Sequence, residues 1–222
     1  MIVKICGVTT LDNALMVARA GADMLGLNFY PPSPRALAPS VATLLAEGLR
    51  SALGDHCPRL VGVFVNESPS HIQSIMEQVG LDYAQLSGDE PLEILSALKG
   101  RAFKSIRPSS LEEAVALTAG WALPTADEGM PSILLDAYHP NLYGGTGHSA
   151  TLEVARATQQ RASRMMLAGG LTPENVAERV REIQPWGVDV ASGVENPNQP
   201  GIKDPDKVKQ FIANAKSPMS LS

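Results

Sequence analysis

The chain has 222 residues, 44% of them hydrophobic, and a formal charge of −5 without any run of lysine or arginine. That is enough apolar material for the core of one α/β domain, and it excludes nucleic acid or an anionic membrane surface as the main partner, because phosphate backbones demand clustered positive charge. No apolar run reaches membrane-spanning length and Met1-Ile2-Val3-Lys4 leads directly into a strand, so no leader is read and a cytoplasmic protein is expected.

Short runs rich in Val, Ile and Leu alternate with amphipathic stretches of helical length. Continuous rather than alternating hydrophobicity in the short runs is what strands buried on both faces require, which points to a parallel sheet. In chain order the pattern predicts strand 2–6, helix 11–20, strand 24–30, helix 41–53, strand 60–65, helix 69–79, strand 83–86 and helix 91–98. The second half continues with strand 102–106, helix 111–119, strand 132–136, helix 152–158, strand 165–168, helix 173–183, strand 188–191 and helix 205–215. Ser68-Pro69, Thr172-Pro173 and Asp204-Pro205 read as helix starts, since proline's fixed φ and missing N–H suit the first turn behind a capping side chain.

Eight strand–helix units of this size either close into a (β/α)₈ barrel or spread into an open doubly wound sheet. An open dinucleotide-binding sheet calls for G-x-G-x-x-G after its first strand, and "ICGVTTLDN" lacks that spacing, so the barrel is expected. It should form a single domain over residues 1–216, with 217–222 a disordered tail. The polar insert "WALPTADEGMP" precedes a strand and so belongs to the stability face, away from the chemistry.

In a barrel, the C-terminal strand ends and the loops after them collect on one rim. That rim would carry Cys6-Gly7, the proline-rich "NFYPPSPR" with Arg35, "AQLSGDE", "KSIRP", Asp136 with "AYHPNLYGGTGHS", "LAGGLTPEN" and "DVASGVE". The glycines after the last two strands suit an anion, because unencumbered backbone N–H groups converge there, and together the two loops read as a phosphate site; each alone would equally be a tight turn. "GGTG" (residues 144–147) either closes over that phosphate or is simply flexible.

Cys6 and Asp136 form a candidate acid/base pair, because strands 1 and 6 lie nearly opposite in an eight-stranded ring and their end residues can face each other across a small substrate. A thiol with an ordinary pKa of roughly 8.5 needs lowering to act as a base near neutrality. Read singly, Cys6 is equally a small buried hydrophobe and Asp136 a cap or a loop ion pair. Arg35 offers a planar fork for a carboxylate, or else faces solvent. Cys57 reads as structural, the two cysteines make a poor disulfide framework, and the four histidines lack metal-ligand spacing, so no metal is expected.

"KICGVT", "GLNFYPPSPR", "VGVFVN", "QLSGDE", "LLDAYHPNLYGGTG", "LAGGLTPENV" and "GVDVASGVENPNQPGIKD" together resemble the N-(5′-phosphoribosyl)anthranilate isomerase family of tryptophan biosynthesis, in the family's order and from Lys4 to Asp204. The resemblance implies a cofactor-free (β/α)₈ barrel, a monomer or homodimer, that converts a small phosphorylated substrate, an aminoaldose, into a 1-amino-1-deoxyketose by an Amadori rearrangement. It further implies that Asp136 is the general acid, Cys6 the general base, Arg35 the binder of the anthranilate carboxylate, and the backbone at Gly169, Gly170, Ser192 and Gly193 the holder of the phosphate. Gly145 joins the substrate-binding set.

Two departures accompany the likeness: Ser87 stands where relatives carry histidine, and Ala150-Thr151-Leu152 where they carry Phe-Asp-Trp. The Ser87 hydroxyl can keep a hydrogen bond but cannot shuttle protons or stack, and the second change alters packing beneath the loop holding Gly145. The alternatives are another phosphosugar-binding barrel isomerase, or a catalytically idle barrel kept as a binding module.

Overall fold

A computed structural model describes residues 1–122, 127–136 and 147–217, with residues 147–151 described by their backbone alone. Its elements alternate strictly. The first half runs β1 (Ile2–Cys6), α1 (Leu11–Arg19), β2 (Met24–Asn28), α2 (Pro39–Leu53), β3 (Arg59–Phe64), α3 (Pro69–Val79), β4 (Tyr83–Leu86) and α4 (Ile94–Ala97). The second half runs β5 (Ala102–Ile106), α5 (Leu111–Trp121), β6 (Ile133–Asp136), α6 (Gly147–Arg161), β7 (Met165–Ala168), α7 (Val176–Ile183), β8 (Gly187–Val190) and α8 (Pro205–Lys216). The eight strands pair in chain order, all parallel, and the ring closes where Ile2 to Ile5 of β1 lie beside Gly187 to Val190 of β8. The expected (β/α)₈ barrel is therefore present.

The strands read as unbroken apolar runs because both faces are covered. Val3, Ile5, Leu25, Leu27, Leu60, Leu86, Ile133, Leu135, Leu167, Val188 and Val190 pack outward against the helices. Their alternates Met24, Val61, Tyr83, Phe103, Leu134 and Met166 fill the inside of the ring. Because successive strand side chains point to opposite faces, this division fixes the direction of every other strand residue.

Two of the three proline-led helix starts hold. The Ser68 hydroxyl accepts a hydrogen bond from His71 N, and the Asp204 carboxylate accepts from Asp206 N and Lys207 N, satisfying orphan donors of the first turn. Thr172-Pro173 does not start α7. Asn175 instead takes Thr172 N at 2.8 Å on its side-chain oxygen and returns its amide to Gly170 O, so the segment closes as a turn and helix begins at Val176.

The predicted helix 91–98 contracts to the single turn Ile94–Ala97, since Ile94 N and Leu95 N bond three residues back, to Pro91 O and Leu92 O. Helix α6 is longer at both ends than the predicted 152–158, because its polar first and last turns carry no apolar periodicity. In the 121–131 connection, Asp127 accepts the Tyr83 hydroxyl at 2.7 Å at the N-terminal end of β4, the face opposite the strand ends. The tail residues 218–222 lie outside the described residues.

Candidate active site

The parity of β1 places Lys4 and Cys6 on the inner face of the ring, between the outward Val3 and Ile5. Gly26, the neighbour of Cys6 on β2, leaves room for the thiol: a Cβ there would stand 2.6 Å from Sγ. Gly7 follows with φ +73°, a conformation open to glycine, and the Arg35 stem lies against it, where a Cβ would meet Arg35 Cδ at 2.4 Å. Two glycines thus bring the thiol and the guanidinium stem together.

Lys4 is fully buried, and its Nζ donates to Asp189 Oδ1 at 2.9 Å across the β1–β8 ladder. Burial pushes the half-buried Cys6 thiol above its ordinary value; the Lys4 ammonium works against that shift, the Asp189 carboxylate with it, and Lys203 again against it. In the ligand-free site the shift therefore runs opposite to the lowering that base chemistry near neutrality asks for.

Asp136 ends β6, two residues after the inward Leu134, and so points to the same interior as Cys6. Around the closed ring β6 lies three strands from β1 by way of β7 and β8, and five by the other route. The two side chains thus stand at strand ends on facing arcs of one rim. Arg107, just past β5 and itself exposed, donates Nε to Asp136 Oδ2 at 2.7 Å. Gly145, with the rest of residues 137–146, lies outside the described residues, as do the side chains of Ala150 and Thr151.

Arg35 sits on a loop folded by its own short bonds, with Ser33 N to Tyr30 O at 2.9 Å, Arg35 N to Ser33 Oγ at 3.2 Å and Leu37 N to Asn28 O at 2.8 Å. Its fork is bidentate on Glu195, Nε to Oε1 at 2.7 Å and Nη2 to Oε2 at 2.6 Å, which leaves the Nη1–Nη2 edge unengaged by that carboxylate. Glu195 also accepts Lys203 Nζ at 2.8 Å and Gly201 N at 2.9 Å. Burial alone would raise the Glu195 carboxyl, but the bonds from Arg35 and Lys203 outweigh it and hold the group at about 2. Glu195 is therefore the anchor that joins the loop after β2 to the loop after β8.

The glycine loops after β7 and β8 also interlock. Gly169 and Gly170 have φ of +94° and +63°, and a Cβ on Gly193 would stand 2.0 Å from Leu171 O, so only glycine lets the two loops approach this closely. Ser192–Val194 form one turn of 3₁₀ helix beside them. On β4 the inward Gln85 donates Nε2 to Ser87 Oγ at 3.1 Å, so the serine that replaces histidine keeps a hydrogen bond. The Ser87 loop is pinned from outside by Glu90, which accepts Asn66 N at 2.9 Å, Gly88 N and the buried Lys104 ammonium.

The sequence reading missed Lys4, Asp189, Glu195, Lys203 and Arg107 as members of this site. A signal existed for the first two: a lysine and an aspartate inside runs expected to be buried on both faces call for a polar partner within the ring. Among the described residues, no three or more His, Cys, Asp or Glu side chains are grouped to hold a metal ion, and no helix is long and apolar enough to cross a membrane.

Fold and rim together define a (β/α)₈-barrel enzyme with its ionisable groups and glycine loops gathered at the C-terminal strand ends. The family model for N-(5′-phosphoribosyl)anthranilate (PRA) isomerase matches residues 3–214. The N-(5′-phosphoribosyl)anthranilate isomerases of Trichlorobacter lovleyi and Roseiflexus castenholzii are each 44% identical, over 96% and 98% of this chain and 97% and 99% of theirs. The crystal structure of phosphoribosyl anthranilate isomerase from Thermotoga maritima superposes with a TM-score of 0.82 at 36% identity, covering 98% of this chain and all of that one. A phosphoribosyl anthranilate isomerase in complex with reduced 1-(o-carboxyphenylamino)-1-deoxyribulose 5-phosphate superposes with a TM-score of 0.80 at 33% identity and the same coverage. The chain belongs to the N-(5′-phosphoribosyl)anthranilate isomerase family and is an isomerase of tryptophan biosynthesis.

Proposed function

We propose that Cys6 and Asp136 are the base and acid that turn N-(5-phospho-β-D-ribosyl)anthranilate into 1-(2-carboxyphenylamino)-1-deoxy-D-ribulose 5-phosphate. The Asp136 carboxyl gives its proton to the ribose ring oxygen, the C1′–O bond breaks, and the anilino nitrogen's lone pair forms the Schiff base. The Cys6 thiolate then takes the C2′ proton, the electrons move to the iminium, and the resulting enolamine tautomerises to the ketose. The observation that carries this reading is the common inward orientation of Cys6 and Asp136 at strand ends on facing arcs of one closed ring. The phosphate is assigned to the backbone at Gly169, Gly170, Ser192 and Gly193, where two glycine loops meet. Gly145 belongs to the same substrate-binding set by sequence. The bound product analogue in the relative supports a ligand that carries both a carboxylate and a phosphate.

Arg35 is assigned to the anthranilate carboxylate through its Nη1–Nη2 edge, with Glu195 holding the opposite edge. Arg35→Ala is expected to raise KM for phosphoribosylanthranilate about 10- to 100-fold with little change in kcat, because the contact serves ground and transition states alike. Steady-state kinetics followed by the loss of substrate fluorescence decide it, and an unchanged KM removes Arg35 from the site.

The pH dependence follows from the raised thiol. A thiol whose pKa lies above the ordinary value is mostly protonated at neutrality, so the rate at which iodoacetamide alkylates Cys6 should climb about tenfold per pH unit until that pKa is reached. A rate flat from neutrality upward contradicts the raised thiol. The reading takes the enzyme as cytoplasmic, cofactor-free, and a monomer or homodimer. The idle-barrel alternative is not favoured, since the changes that motivated it leave Cys6, Asp136 and Arg35 in place.

A further inference from the structure

Lys4 is a fully buried cation on the inner face of β1 that the proposed chemistry does not use. Its ladder neighbour on β2 is the apolar Met24, so a side chain of that length fills this layer without any charge. An ammonium buried here must be matched by the groups facing it. Asp189 of β8, its ladder partner, is one, with Nζ 2.9 Å from Oδ1. The other is the Cys6 thiol, two residues on along the same inner face, whose upward shift the Lys4 charge opposes.

The remaining charges around the thiol are already engaged. Lys203, its side chain fully buried, donates to Glu195 Oε1 at 2.8 Å and to Ala191 O at 3.0 Å, and Arg35 lies bidentate on the same Glu195. Asp136 on the facing arc is held by Arg107. Lys4 is the cation that shares the inner face of β1 with the sulfur, its ammonium bonded to Asp189.

We infer that Lys4 is a positioning residue that stabilises the thiolate form of Cys6, with Asp189 fixing its ammonium and setting how much of its charge the sulfur receives. The inference rests on the reading of Cys6 as the general base, and it explains how a desolvated thiol keeps a working fraction of thiolate. The two partners of the pair act in opposite directions: removing the lysine withdraws positive charge from the sulfur, and neutralising the aspartate returns it.

The test uses the full chain as Lys4→Met and, separately, Asp189→Asn. Both thiols are alkylated with iodoacetamide across a pH series and read residue by residue by peptide mass spectrometry, so that Cys57 serves as the internal control. Alkylation reports thiolate directly, without substrate. The expected result is a Cys6 titration moved upward by about one pH unit or more in Lys4→Met, which is about tenfold less thiolate at a given neutral pH, and moved downward in Asp189→Asn. Curves that stay in place, or that move the same way in both variants, overturn the inference.

If Lys4→Met does not fold, the double variant Lys4→Met/Asp189→Asn, which leaves no unpaired charge, is compared with Asp189→Asn: a Cys6 titration higher in the double variant supports the inference, and an equal one overturns it. The pH profile of kcat/KM in the same variants separates this inference from the reading beneath it. An alkylation curve that moves while kcat/KM at a given neutral pH stays unchanged refutes Cys6 as the base and leaves the hold of Lys4 on the thiol intact.

Discussion

Asp136→Asn is expected to lower kcat about 10²- to 10⁴-fold while KM for phosphoribosylanthranilate stays within a few-fold of its original value. Asparagine keeps the shape of the side chain and an oxygen able to accept from Arg107, so the end of β6 and the substrate's resting place are preserved. What it loses is the transferable proton. The ribose ring then has to open without an acid, and that cost appears only as the ring oxygen gains negative charge in the transition state. Stopped-flow or steady-state fluorescence on the purified variant checks the split between kcat and KM. Retained turnover removes Asp136 from the acid's role whatever the position of its side chain.

Cys6→Ser should cost at least as much. The hydroxyl is smaller than the thiol and fits against Gly26 without disturbing β2. Its proton, however, is held far more tightly than a thiol's, so the buried ammonium of Lys4 is not enough to give a useful fraction of alkoxide near neutrality. The expected result is a kcat reduced about 10³-fold or more, with substrate binding retained and circular dichroism unchanged. Activity near the original level would mean that another group takes the C2′ proton. Asp189, paired with Lys4 on the adjoining strand, is then the next group to test.

The barrel was legible because its evidence is distributed. Eight apolar runs buried on both faces recur with helical stretches between them, and the strand positions 83–86, 102–106 and 165–168 agree residue for residue with the structure. Helix ends were less legible where side-chain chemistry competes: the proline after Thr172 promises a first turn, but the Asn175 amide captures the local backbone and delays α7 to Val176. The reactive pair could be read from strand-end position and from the resemblance together. Its surroundings could not, because Lys4, Asp189, Glu195 and Lys203 come from distant parts of the chain and meet only through ring closure between β1 and β8. The upward shift of the thiol was likewise invisible, since it is set by burial and by the balance of Lys4 and Lys203 against Asp189, of which Asp189 and Lys203 come from the far end of the chain.

The account stands on a thiol and a carboxyl acting on one pentose from two sides. A crystal structure of this protein with reduced 1-(o-carboxyphenylamino)-1-deoxyribulose 5-phosphate tests that claim most directly. The account predicts the Cys6 sulfur within about 4 Å of C2′, the Asp136 carboxyl on the other side of the sugar within hydrogen-bond reach of the oxygen released from the ring, and the phosphate against the backbone of Gly169, Gly170, Ser192 and Gly193. A ligand bound with C2′ turned away from Cys6, or with Asp136 out of reach of that oxygen, would contradict it.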